Sequence, residues 1–487
     1  MIRKRVGLRR VIGALFGLLL AASSAGVRAQ GNPNLADFDF VVATVEANYA
    51  GWPTKTAGSK GEELAALTAR LRQSLNPGDD AQLRQAIDTW IAWFDDGHLQ
   101  AQWNLAASDK PWRAARRVLP EPTAQARLAK LGAARHPVEG IWTIDDRYRI
   151  AVLRDDETPT RFLATVLETS AEGWQAGDTK AILTERGDGS FTLRYGAGDR
   201  TELALTARLV SRNDVLDLGD LGIWRRVHDD PATARAALHR YPGDEFTLVL
   251  LGPETLYLRL PSFGASYTDT VRDLIEQNRA LLAATPNLII DVRRNGGGSD
   301  FAYDPVLPWI ATRPIWRVGV EIRASPLNQR LRREVADQIA AASPDAARAL
   351  REESDRMEGN PAPFIRREPP VEILRFAEAL PNPVRIAVLI DGAGSSAENF
   401  ILDARQSRKV TLMGQENSAG VIDFGEMMAM PAPSGRFQLA WATTRSLRLP
   451  DDPVDPDGIA PDVRIPADID DPVAWAAAWL LNTAQLR

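Results

Sequence analysis

Residues 385–404 read RIAVLIDGAGSSAENFILDA. Ile386 to Ile390 is an unbroken apolar run, too short for a helix, which predicts a strand buried on both faces. Asp391 to Gly394 has turn composition. Ala397, Phe400, Ile401 and Ala404 then recur at three-and-four spacing, which predicts a helix beginning near Ser395 or Ser396. The first amides of such a helix have no intrahelical partner, and the helix dipole favours negative charge there. Ser395 is thus readable as a helix N-cap or as a nucleophile with an oxyanion donor beside it.

Outward from this stretch, strands and helices alternate from Glu254 onward. TLYLRLP (255–261), NLIIDV (287–292) and KVTLMG (409–414) read as strands, and YTDTVRDLIEQNRALLA (267–283) as an amphipathic helix. The alternation predicts an α/β layer architecture over 245–475, followed by a C-terminal helix over 476–487. A charged helical stretch interrupts it at 326–380, either a lid or a solvated hairpin. Residues 30–120 read as a helical N-terminal domain, with Pro111, Pro120 and Pro122 marking its end. Residues 138–230 hold short strand-like runs between Gly-, Asp- and Pro-rich turns, which predicts a small antiparallel β-sheet or barrel module. Its GIW triplets, 140–142 and 222–224, supply aromatic core residues.

Arg3, Lys4, Arg5, Arg9 and Arg10 precede an apolar run from Val11 to Gly26, and Val27-Arg28-Ala29 fits a small-x-small cleavage site. Residues 1–29 therefore read as a signal peptide cut after Ala29, with a periplasmic or secreted product. Its six basic and no acidic side chains take the formal net charge from −6 to −12 on removal. That balance argues against nucleic acid as a partner. No later segment is apolar enough for a membrane span, and the absence of cysteine excludes disulfides and thiol chemistry.

Three further segments carry chemistry. IIDVRRNGGGSDF (289–301) ends a strand in Asp291 and a triple-glycine turn, whose amides can approach a ligand closely or simply make a tight turn. It lacks the P-loop lysine and the dinucleotide glycine spacing. FDDGHLQAQW (94–103) places His98 in a polar turn; His136, His228 and His239 have less suggestive surroundings, and no spacing indicates a metal site. DDPVDPDGIAPDVRIP (451–466) crowds Asp451, Asp452, Asp455, Asp457 and Asp462 together without a calcium-loop spacing.

In this order the segments resemble the tail-specific and tricorn-type serine peptidases. LIIDVRRNGGG is similar to that family's DLRxNGGG strand and turn, SSAENF to its SAxE serine segment, DGIAPDV to its terminal GxxPD, and DDGHLQ to its DxHT element. The resemblance covers 254–475 well and 34–118 loosely. It implies a crotonase-like β/β/α superhelix core and peptide or protein substrates, with no metal or organic cofactor. It makes Ser395 the nucleophile and places an oxyanion hole at the amide of Ser396 and one from the 296–298 turn, Gly296 or Gly297. The catalytic lysine of the C-terminal-processing branch would fall on Gly420. The tricorn-type branch instead uses a histidine and a downstream acid, which map to His98 and Asp455, with Asp457 competing. Histidine side chains titrate near ~6.5 and can accept and return a proton at neutral pH. The family also includes retinoid carriers on the same fold, and the same residues would serve an esterase, so a ligand-binding protein and an esterase stand as alternatives.

Overall fold

A computed structural model of the chain describes residues 32–103, 111–145, 147–376 and 380–485. The leader, with Ala29, lies outside the described residues. The fold is mixed α/β, and its described residues divide into two compact units, those within 1–104 and 244–487, and those within 105–243.

Among the described residues, the first unit is built on two large sheets and a separate two-stranded ribbon. One has six strands, in the order Thr247–Gly252, Thr255–Arg259, Asn287–Asp291, Arg385–Leu389, Val410–Gly414 and Val463–Arg464. All neighbours run parallel except the first pair. Their apolar runs are continuous because both faces are covered. Leu288 and Ile290 pack with Val271, Leu282, Phe400 and Ile401 of the helices on one side. Ile289, Ala387 and Leu389 pack with Val473, Ala476 and Leu480 of the helix Pro472–Gln485 on the other. This last helix begins ahead of the boundary at 476 read from the sequence.

The second sheet joins Gln100–Trp103, Val320–Arg323, Phe364–Arg366, Phe424–Pro431 and Phe437–Ser446. The helices Pro33–Asn48, Ser59–Ser74 and Asp80–Ala92 do not form a separate domain over 30–120. Phe38, Val41, Tyr49, Trp90 and Phe94 share one core with Phe424, Phe437, Leu439 and Trp441 of this sheet. Helical periodicity shows which face is apolar but not which surface it meets.

The 326–380 segment is not purely helical. After the helices Pro326–Ile339 and Pro344–Met357 it contributes two strands, Phe364–Arg366 and Val371–Leu374. A buried ion network ties it down. Arg332 donates to Glu353 (3.0 Å) and Glu426 (3.2 Å), and Arg367 donates to Glu353 (2.6 Å) and Glu426 (2.8 Å). The two guanidiniums hold the Glu426 carboxyl down at about 2, against the opposing effect of burial. Opening the hairpin would strand buried charges, so this segment is a fixed wall.

The second unit is a closed barrel of eight antiparallel strands, sealed by pairing of Gly140–Ile144 with Ile223–Arg226. Trp142 and Trp224 are buried in its core with Phe162, Phe191 and Trp174. Lys180 lies in the same interior. Its ammonium sits 4.3, 4.0 and 4.7 Å from the ring centroids of Tyr148, Trp174 and Tyr195. Burial, helped by Arg200 and Arg147, pulls its pKa down to about 7.

Candidate active site

The strands Asn287–Asp291 and Arg385–Leu389 lie side by side and parallel, so their C-terminal turns meet. In open α/β sheets this edge is where ligands bind. Asp291, fully buried, accepts a fork from Arg293 (2.9 and 2.6 Å) and a hydrogen bond from Tyr257 (2.8 Å). That network anchors the strand end. Asn295 then joins the two turns: Gly394 N–H donates to its carbonyl (2.8 Å) and Gly297 N–H to its Oδ1 (2.8 Å).

Gly297 has φ 89°, and a Cβ there would fall 2.6 Å from Ser396 N and 2.7 Å from Ser395 Cβ. The glycine is required because the turn lies directly against the serines. Its amide is already donated to Asn295, which removes Gly297 from the expected oxyanion donors. Among the described residues, the amides of Gly296 and Ser396 have no acceptor.

Ser395 is the N-cap of the helix Ser396–Ala404, with φ 57° and ψ −124°. A non-glycine residue there is uncommon and is held by its surroundings. The holder is Glu398. This buried carboxylate accepts from Ser395 N–H (3.2 Å), Val421 N–H (2.9 Å), Gly420 N–H (2.8 Å) and Ser418 Oγ–H (2.6 Å). SSAE has the capping-box spacing, so the sequence carried a signal for Glu398.

His98 meets Ser395 across 297 residues of chain, with Nε2 3.2 Å from Ser395 Oγ. Its Nδ1 lies 2.6 Å from the carbonyl oxygen of Phe424. A carbonyl only accepts, so Nδ1 carries the proton. In the neutral ring Nε2 is then the acceptor facing the serine hydroxyl. The turn is braced by Asp96, which accepts from His98 N–H (2.8 Å) and from the Tyr49 hydroxyl. Lys55 adds hydrogen bonds to the carbonyls of Phe94 (2.7 Å) and Asp95 (3.0 Å).

Neither aspartate expected to orient the imidazole makes a hydrogen bond to it. Asp457 is exposed. Asp455 accepts on Oδ1 from Ile422 N–H (2.7 Å) and Asp423 N–H (3.0 Å), the two residues before Phe424. It thus fixes the carbonyl that orients His98. Its Oδ2 is buried with no hydrogen-bond partner. Burial, with the charges of Asp423 and Asp96, pushes its pKa up to about 7. The Phe424 carbonyl had no signal in the sequence, because any residue type supplies one.

Gly420, where a lysine base would fall, has φ 71°. A Cβ there would lie 2.2 Å from the carbonyl oxygen of Pro456. Lys409 donates its ammonium to the carbonyl of Leu380 and is no substitute. Ser395, His98 and Gly296–Gly298 line one cleft of about 620 Å³.

Residues 254–465 match the model of Peptidase family S41. No curated protein matches the chain. Similar solved structures include mature CPAF complexed with lactacystin, at 13% identity over 93% of this chain and 98% of that one, with a TM-score of 0.47. They also include a putative peptidase from Parabacteroides merdae (12%, 93% and 98%, 0.44). A third is the photosystem II D1 C-terminal processing protease (15%, 91% and 96%, 0.35).

Proposed function

We propose that this chain, whose residues 254–465 match the model of Peptidase family S41, is a serine endopeptidase whose nucleophile is Ser395 and whose base is His98. The observation that carries the reading is the line from Phe424 carbonyl to His98 Nδ1 and from Nε2 to Ser395 Oγ, at 2.6 and 3.2 Å. It is a general-base geometry in the productive tautomer.

In the proposed reaction His98 Nε2 takes the hydroxyl proton as Ser395 Oγ attacks the substrate carbonyl carbon. The oxyanion forms against the amides of Ser396 and Gly296, at a helix start that favours negative charge. Collapse breaks the C–N bond, and the imidazolium gives its proton to the leaving amine. Water, deprotonated by the same imidazole, then hydrolyses the acyl-enzyme. The third member of the relay is a carbonyl, and Asp455 acts through the backbone that presents it. The core is read as the crotonase-like β/β/α superhelix, and the absence of room for a lysine at Gly420 supports the tricorn-like branch. A periplasmic location rests on the leader sequence.

A fluorophosphonate probe tests the reading. The parent and Ser396→Ala label, because Ser396 contributes only its amide, and Ser395→Ala does not. Undiminished labelling of folded Ser395→Ala, or no labelling of the folded parent, rejects it.

A further inference from the structure

The strands Ile315–Val318 and Val371–Leu374 form a separate two-stranded antiparallel ribbon beside the cleft. Strand alternation sends Ile315 and Arg317 inward, and Trp316 and Val318 outward. The register sets Trp316 opposite Ile373 and Val318 opposite Val371, so all four outward residues share one face. They are exposed by 58% (Trp316), 41% (Val318), 37% (Val371) and 37% (Ile373). Trp316 and Val318 also line the cleft that holds Ser395 and His98.

This exposure belongs to a rigid element. Arg317 is buried and donates to Asp403 (2.7 Å) and the Tyr303 hydroxyl (3.2 Å), and Ile315 and Leu374 sit in the main core. Gln406 clamps Trp316 from outside, accepting from its N–H and donating to its carbonyl, both at 2.9 Å. The backbone of Trp316 is therefore closed to an added strand, while its indole is held out in solvent. A contiguous, fixed apolar patch continuous with a catalytic cleft marks a contact site.

We propose that this face, centred on Trp316 and Val318, selects the substrate by binding one bulky apolar side chain of an extended peptide, away from the cleaved bond. The inference rests on the peptidase reading. The helix Ser396–Ala404 starts beside the nucleophile and ends two residues before the Gln406 clamp, so at 1.5 Å per helical residue the patch lies on the order of 15 Å from the nucleophile. An extended peptide covers that span in roughly four or five residues. Specificity then comes from side-chain burial, worth on the order of ten-fold or more for one large apolar group.

The experiment compares long peptides carrying Leu, Phe or Ser at each position several residues from a fixed cleavage point. The parent should prefer Leu or Phe over Ser at one such position by ten-fold or more in kcat/KM. Trp316→Ala should erase that preference through KM, with kcat and the fluorophosphonate labelling rate of Ser395 retained, and Trp316→Phe should restore it. Val318→Ser should weaken it. Should Trp316→Ala keep the parent's selectivity, the proposal is overturned. It is equally overturned if the substitution alters only sedimentation, since the patch then joins two copies of the chain. Absence of labelling and cleavage in the parent would instead reject the peptidase reading itself.

Discussion

His98 is oriented by Phe424: its Nδ1–H donates to the Phe424 carbonyl at 2.6 Å, leaving Nε2 toward Ser395. Main chain thus takes the part usually given to a carboxylate, and it is held in place by Asp455 through the amides of Ile422 and Asp423.

His98→Ala should lower kcat on the order of a thousand-fold or more while the oxyanion donors sustain a residual rate. His98→Gln should not rescue it, because an amide cannot take the proton. Steady-state kinetics on folded variants checks this; a loss of only a few-fold would mean another group acts as base.

Placing a lysine at Gly420 should not create a lysine-based enzyme. The residue needs φ 71°, and its Cβ would collide with the Pro456 carbonyl and with Gly458 N at 2.8 Å. Gly420→Lys should lower Tm and abolish labelling of Ser395, since the 418–421 loop is held by the same Glu398 that holds Ser395. Lys409→Ala should stay within a few-fold of the parent in activity.

Asp455 has its folded-state pKa raised to about 7, above its unfolded value near 3.8. Its favourable contribution is therefore complete below about pH 4 and is lost as pH rises through 7. Asp455→Asn should gain Tm relative to the parent at pH 8 and lose that advantage at pH 5, as thermal melts at the two pH values would show. The substitution should also flatten any rise in kcat/KM through pH 7, because the carboxylate that forms beside Asp96 and stabilises an imidazolium would be absent.

Lys180 titrates at about 7 inside the barrel, against 10.5 unfolded. The unfolded chain then binds more protons between those values, so this residue's penalty is full below pH 7 and fades toward pH 10.5. Lys180→Met keeps the length and removes the charge, so it should raise barrel stability most at pH 6 and least near pH 10. Equal gains at both would show that the ammonium keeps its charge on burial.

The sequence by itself determined the local pieces. Ile386–Ile390 and Leu288–Ile290 are apolar without a break because each strand is covered on both faces, and that pattern is written in residue order. The GSSAE turn, the glycines of 296–298 and the polar turn around His98 were legible for the same reason: each depends on neighbours within a few residues. What only tertiary structure decided is which distant groups meet. No spacing brings His98 to Ser395. Nor does any side-chain pattern mark the Phe424 carbonyl that fixes the tautomer, and Asp455, read as the orienting acid, turns out to act through two backbone amides. The N-terminal helices became part of the first unit because the apolar face of the sheet around Phe437 and Trp441 needed covering, and a helical period carries no information about its partner. The left-handed backbone at Ser395 likewise depends on Glu398 gathering four donors, three of them from a loop some twenty residues on. Burial of that carboxylate makes the arrangement obligatory, and burial is a property of the folded chain alone.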